Sequence, residues 1–123
     1  MARNKSDELV VHGTRVDSIN EYNVAQALDK LNIDYEYQYI FGMAGIRGSQ
    51  IIDFLVYTLP KPTPLFVHGE YWHKGIYAID EQLKLADIDM RMRGTWAQSV
   101  VIWEHECEDE DQAFNSVREK LGV

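Results

Sequence analysis

Cysteine is nearly absent: Cys107 stands alone among 123 residues. No intramolecular disulfide can form, and there is no set of thiolates for a structural zinc. No apolar run approaches the roughly 20 residues that a membrane-spanning helix needs. The first residues, MARNKSDE, are polar and hold no apolar core of the signal-peptide type. These absences lead us to expect an intracellular, cytoplasmic protein with no membrane partner. Basic residues are also scarce, 12 Lys and Arg against 20 Asp and Glu, for a formal charge of −8. Overall charge therefore gives little steering toward nucleic acid. The imbalance is local, however: residues 104–111 (EHECEDED) hold six acids and no Lys or Arg, whereas residues 1–103 carry 13 acids and 10 bases.

What is present fits one folded domain. The chain is 46% hydrophobic and 26% charged, which excludes collagen-like, low-complexity and disordered classes. Residues 1–17 are polar and aperiodic, and we expect a flexible arm there, with a single domain over 18–123. Ser18 with Glu21 has capping-box spacing, and Val24, Leu28 and Leu31 continue at helical intervals. Tyr35, Tyr37 and Tyr39 alternate with polar residues, a strand pattern. A glycine-rich turn holding Arg47 precedes a second strand, Ile51 to Tyr57. Pro60, Pro62 and Pro64 predict a loop, and Leu65 to His68 a short third strand. A helix is predicted over 79–93, with Ile79, Leu83, Ala86 and Met90 as its core stripe and Gly94 at its end. Ser99 to Trp103 reads as a buried strand, the acidic run as a loop, and Gln112 to Leu121 as a last helix. The order αβββαβα predicts a mixed sheet with helices on both faces.

Four places carry chemistry. Asp53 lies mid-strand between Ile52 and Phe54, where a carboxylate must be paired, protonated or metal-bound. Glu21 lies beside the core stripe of the first helix, where a capping glutamate would also lie. The segment FVHGEYWH (66–73) exits a strand through glycine and then presents Glu70, Tyr71, Trp72 and His73. Asp87 and Asp89 flank the expected stripe of the second helix on opposite sides, so periodicity does not choose between them.

Taken together, these segments resemble the PD-(D/E)xK nuclease superfamily, and within it the very-short-patch mismatch-repair endonucleases and the related phage and intron-encoded homing nucleases. That branch carries the pattern Glu, Asp, His, Asp. The matching stretches are NEYNVAQAL (20–28), IIDF (51–54), LFVHGEYWH (65–73) and VVIWE (100–104), spread over residues 18–104. The resemblance implies a restriction-endonuclease-like αβββαβ core, here with an extra C-terminal helix, and a Mg²⁺-dependent (or Mn²⁺-dependent) DNA endonuclease. It implies Asp53 as the main metal ligand and the Val67 backbone carbonyl as a second. It implies His73 as general base or positioner of the attacking water, Glu21 as a ligand of metal-bound water, and Asp87 or Asp89 as the orienter of His73. Such roles suit phosphodiester hydrolysis, which needs neutralisation of developing charge and activation of water.

The departures from the pattern are specific. Ile52 replaces the proline of the signature, and Val67-His68-Gly69 replaces the usual E-x-K. The cysteines of the branch's structural zinc are missing, so no zinc is expected. Glu70, 17 residues after Asp53, is an alternative metal ligand to the Val67 carbonyl. Arg47, Lys74, Arg91 and Arg93 are candidate phosphate contacts, and Tyr71 and Trp72 candidate stacking or wedging groups. With no recognisable reader motif, binding to DNA would call for a homodimer or a separate DNA-binding partner. The alternative reading is a catalytically inactive module of the same fold that docks a basic partner through residues 104–111.

Overall fold

The computed structural model describes residues 9–42, 50–69 and 75–123. Two very short strands, β1 (Val10–Val11) and β2 (Thr14–Arg15), form a hairpin. Then follow α1 (Ile19–Lys30), β3 (Tyr35–Phe41), β4 (Gln50–Val56), β5 (Thr63–His68), α2 (Gly75–Arg91), β6 (Val100–Trp103), a 3₁₀ turn (Glu104–Glu106) and α3 (Glu110–Leu121). The chain is therefore an α/β protein with a four-stranded mixed sheet and three helices. No helix among the described residues is long and apolar enough to cross a membrane.

The sheet order is β3-β4-β5-β6. β3, β4 and β5 form an antiparallel meander, and β6 returns parallel to β5 after the α2 crossover. Helices cover both faces. Leu65 and Ile102 belong to one apolar cluster with Val24 and Leu28 of α1 and Ala113 and Val117 of α3. Their sequence neighbours Phe66 and Val101 belong to the second cluster, with Leu85 and Ile88 of α2. Alternation along a strand sends adjacent side chains to opposite faces, so this split defines three layers. Each fully buried Phe, Leu or Ile in these clusters contributes about 1.5–3 kcal/mol relative to exposure.

Local chemistry explains the element ends. Ser18 caps α1: its hydroxyl accepts the Glu21 N–H at 3.1 Å. Asp109 caps α3 in the same way, accepting the Gln112 N–H at 2.8 Å. Gly94 adopts a positive φ of 85° in the turn after α2, a conformation costly for residues with a Cβ.

Three expectations change. Residues 9–16 do not belong to a loose arm: they form the hairpin, with Val11 and Val16 buried against the first cluster. Pro64 is not in the loop but is the second residue of β5, near a strand start where a missing N–H is tolerated. The third change is the orientation of α2. Its sheet-facing residues are Leu85 and Ile88, while Ile79, Leu83 and Met90 of the expected core stripe are exposed.

Candidate active site at a strand fork

β4 and β5 pair from Val56↔Thr63 to Phe54↔Leu65, and the ladder stops there. Beyond that point β4 continues to pair with β3, and β5 with β6. The two middle strands thus part, and Asp53 is the first residue of β4 past the fork. Its carboxylate Oδ2 accepts the backbone N–H of Val67 at 2.9 Å. A side chain thereby occupies a place that a strand carbonyl fills elsewhere in the sheet.

The surroundings of Asp53 are mixed in charge. A cleft of about 160 Å³ is lined by Ile51, Asp53, Phe66, Val67 and His68 from the strands, and by Glu81 and Lys84 from α2. Burial pushes the Asp53 carboxyl up to about 7; the Val67 N–H and Lys84 oppose that rise, and Glu21 and Glu81 add to it. Asp53 thus titrates near neutrality, as groups at functional sites commonly do. Glu81 lies 3.3 Å from Nε2 of the buried His68, whose ring also meets Trp103 edge-on. Lys84 stands 5.9 Å from the centre of the Phe66 ring.

Glu21 approaches from the other layer. Its Oε1 accepts the Tyr37 hydroxyl at 2.6 Å, and its Oε2 accepts Ser18 Oγ at 3.3 Å. The Tyr37 oxygen in turn accepts the Asp17 N–H at 3.0 Å. Burial raises the Glu21 carboxyl above its ordinary value, while the Tyr37 hydrogen bond counteracts this. The Glu21 carboxylate is thus tied to the Ser18 hydroxyl at the start of α1 and to Tyr37 of β3.

Asp87 and Asp89 separate clearly. Asp89 Oδ1 accepts both the N–H and the hydroxyl of Ser99, at 2.9 and 2.6 Å, and ties α2 to the entrance of β6. Asp87 lies toward β4, where Gln50 Nε2 donates to its Oδ2 at 3.3 Å, and it pairs with Arg91 one turn on. Arg91 also lies over the Phe41 ring, 5.1 Å from its centre. Arg93 borders a larger hollow of about 690 Å³ beside α2, with Met90, Trp96 and Gln98. That hollow gathers no reactive cluster, because its one carboxylate, Asp89, is engaged by Ser99.

Arg47, Glu70, Tyr71, Trp72, His73 and Lys74 lie outside the described residues. The described chain leads up to the last five through Gly69, where the Glu104 carboxylate packs so close that a Cβ would collide with it. Val67, expected to act through its carbonyl, meets Asp53 through its N–H. Glu81, Lys84, His68 and Tyr37 were not singled out as site residues from the sequence. The i, i+3 spacing of Glu81 and Lys84 was the available signal, but it sat opposite the stripe read as core.

The acidic run is built into the structure locally. Glu106 accepts the Trp103 N–H at 3.0 Å and lies 3.8 Å from Lys120. Cys107 is buried, Asp109 caps α3, and Glu110 and Asp111 occupy the first turn of α3, where negative charge is favourable.

The donor chemistry around Asp53 suits a hard divalent cation. Carboxylate oxygens dominate, and a positive ion would relieve the mutual repulsion of Asp53, Glu21 and Glu81. Among the described residues no three His, Cys, Asp or Glu side chains converge as a metal cage. An ion there would thus rely on Asp53, one or two oxygens from nearby chain, and water, as Mg²⁺ commonly does. No protein-family model matches the chain, and neither the curated proteins nor the solved structures contain a match to it.

Proposed function

We propose that the protein is a divalent-metal-dependent DNA endonuclease with a restriction-endonuclease-like αβββαβ core, of the PD-(D/E)xK type and its mismatch-repair-like and homing branch. The observation that carries this reading is Asp53: a half-buried carboxylate at a strand fork, raised to about 7 by desolvation, with Lys84 lining the same cleft. Asp53 would hold Mg²⁺ or Mn²⁺ together with the Val67 carbonyl or Glu70. Bound there, the ion would supply charge neutralisation at the scissile phosphate.

The chain's own groups do the rest. Asp53 is fixed by the Val67 N–H, so one oxygen is oriented before any ligand arrives. Glu21, held by Tyr37 and Ser18, would bind water carried by the ion. Lys84, which lines the same cleft, offers a cation to a phosphate oxygen. His73 takes the proton of the attacking water. We assign the orientation of His73 to Asp87, whose bonds from Gln50 and Arg91 are both 3.3 Å, rather than to Asp89, which Ser99 holds at 2.9 and 2.6 Å. The interaction-module reading draws less support, because the acids at 106 and 109–111 serve the ends of the 3₁₀ turn and α3.

The test is nicking of supercoiled plasmid by purified protein with Mg²⁺ or Mn²⁺, and with EDTA, beside Asp53→Asn and His73→Ala. Metal-dependent nicking lost in both variants supports the nuclease. Absence of both cleavage and DNA binding across duplex, mismatched and branched DNA refutes it.

A further inference from the structure

Gln38, in the middle of β3, has a φ of 54°, a left-handed backbone that a residue with a Cβ rarely adopts inside a strand. The β3–β4 ladder pairs Tyr37 with Phe54 and Tyr39 with Ile52, but it does not pair Gln38 with Asp53 between them. At the same point both strands change sides. Residues two apart on a strand normally share a face. Tyr37 and Phe54 belong to the first cluster, with α1, whereas Tyr39 and Ile52 belong to the second, with α2. The two strands therefore rotate together at Gln38 and Asp53. A side chain at such a pivot belongs to neither face. The Asp53 carboxylate accordingly lies along the sheet and reaches across the fork to the Val67 N–H. We propose that Gln38 is the positioning residue of Asp53: its left-handed backbone sets the rotation that aims this carboxylate across the fork.

The usual causes of such a turn are missing. Neither strand, YEYQYIF or QIIDFLV, contains glycine or proline. Within these two strands Gln38 alone has a positive φ. Its surroundings hold it there. Nε2 of Gln38 donates to Oδ2 of Asp17 at 2.7 Å, just ahead of the Ser18 cap of α1. The Asp17 N–H bonds the hydroxyl of the neighbouring Tyr37. Residues 37 and 38 are thus tied to the start of α1, while Tyr39 meets Trp96 edge-on at 5.6 Å in the second cluster. The strand is drawn to one layer on one side of Gln38 and to the other layer on the other side. A sparsely populated backbone state persists where its surroundings over-determine it in this way. Interruptions of a ladder bend the strand, increase its twist and re-aim side chains beside active sites. The aim of Asp53 is a matter of geometry; its consequence for catalysis rests on the nuclease reading.

Two substitutions separate backbone from side chain, because both remove the bond to Asp17. Gln38→Gly accepts a positive φ, and Gln38→Val resists it. Hydrogen exchange of the Val67 amide, followed by NMR on the full chain, reads the Asp53 bond directly. Gln38→Gly should keep this amide protected. Gln38→Val should speed its exchange at least about fivefold beyond any change at Leu65 and Phe66, which a merely loosened fold would expose alike. Gln38→Ala resists a positive φ with less bulk and should act in the same direction, so the comparison stands even where valine prevents folding. In Mg²⁺-dependent nicking, kcat should fall further in Gln38→Val than in Gln38→Gly, with KM for DNA little changed in either. Val67 exchange that only follows Leu65 in the valine and alanine variants overturns the proposal. So does a Gln38→Gly protein that behaves like Gln38→Val, since the side-chain bond to Asp17 would then be what matters. A wild type that does not nick removes the nuclease reading, and the exchange comparison still decides the role of Gln38.

Discussion

Asp53 and Val67 are joined where the sheet comes apart: the carboxylate of the first accepts the N–H of the second at 2.9 Å, just past the last β4–β5 pair. This bond alone does not keep the acid ionised. Burial dominates and holds the carboxyl at about 7 rather than 3.8. A carboxyl that binds its proton more tightly when folded favours the native state at low pH. Its penalty appears as pH climbs from about 4 to about 7 and is complete above that. Asp53→Asn removes the titration, so the variant should gain stability over the wild type across this range, by an order of a few kcal/mol at pH 8. The gap should close at pH 4. Mg²⁺ should raise the wild-type melting temperature at pH 8 and leave that of the variant unchanged. Thermal melts at a series of pH values check both points, and a gap that does not vary with pH would count against them.

Glu81 and Lys84 act on Asp53 with opposite sign. Burial sets the height of the Asp53 titration, Lys84 lowers it and Glu81 raises it. Glu81→Gln keeps the shape and a hydrogen-bonding group beside His68 while removing the charge. It should move the Asp53 midpoint down. Lys84→Met keeps the stem over Phe66 and should move the midpoint up. Carbon NMR of the Asp53 carboxyl reads both directly. Because a metal ligand must be deprotonated, the pH at which Mg²⁺ begins to bind should follow in the same directions. Shifts of the same sign in the two variants would remove Glu81 and Lys84 from the electrostatic account of the site.

The two aspartates of α2 should part by experiment as they do in space. Asp89 holds two partly buried hydrogen bonds from Ser99, so Asp89→Ala should cost about 1–3 kcal/mol of stability. Asp87 is half-exposed and pairs with Arg91 on the surface, so Asp87→Ala should stay within about 0.5 kcal/mol. If Asp87 orients His73, its loss should reduce nicking without a matching fall in melting temperature. An Asp87→Ala variant with full activity would end that assignment.

The sequence shows some of this arrangement and hides the rest for physical reasons. The alternation of Tyr35, Tyr37 and Tyr39, the Ser18 cap and the mid-strand position of Asp53 are local patterns, and each stands in the structure as expected. The side of α2 that meets the sheet is not a local property. Two apolar lines compete, and the one carrying Ile88 wins because it also brings Glu81 to His68 and Lys84 to the Asp53 cleft. A Glu and a Lys one turn apart look like a solvent face until the strands beneath them hold polar groups. The N-terminal hairpin has strands of two residues each, too short for any period to register, and tertiary contacts secure it: the burial of Val11 and Val16 and the seating of His12 against Asp29 and Tyr35. The fork between β4 and β5 is tertiary: nothing in IIDFLV or TPLFVH marks where their pairing ends.

Tyr37 bridges the Glu21 carboxylate and the Asp17 backbone. Its hydroxyl donates to Glu21 at 2.6 Å and its oxygen accepts the Asp17 N–H. Tyr37→Phe should therefore cost about 2 kcal/mol, the range of a hydrogen bond to a charged group plus an N–H left without its partner. The second effect is electrostatic. Burial already raises the Glu21 carboxyl, and the Tyr37 bond is the largest influence holding it down. Without that bond Glu21 should titrate higher still, and its ionised form, which the proposed water-ordering role requires, should be reached only at higher pH. Metal-dependent nicking by Tyr37→Phe should thus fall off at higher pH than in the wild type when pH is lowered, and recover as pH rises, while the melting temperature stays lowered throughout. A loss of activity that no increase in pH repairs would leave Tyr37 a packing role only, and an unchanged melting temperature would mean that the Tyr37–Glu21 bond contributes nothing to the fold.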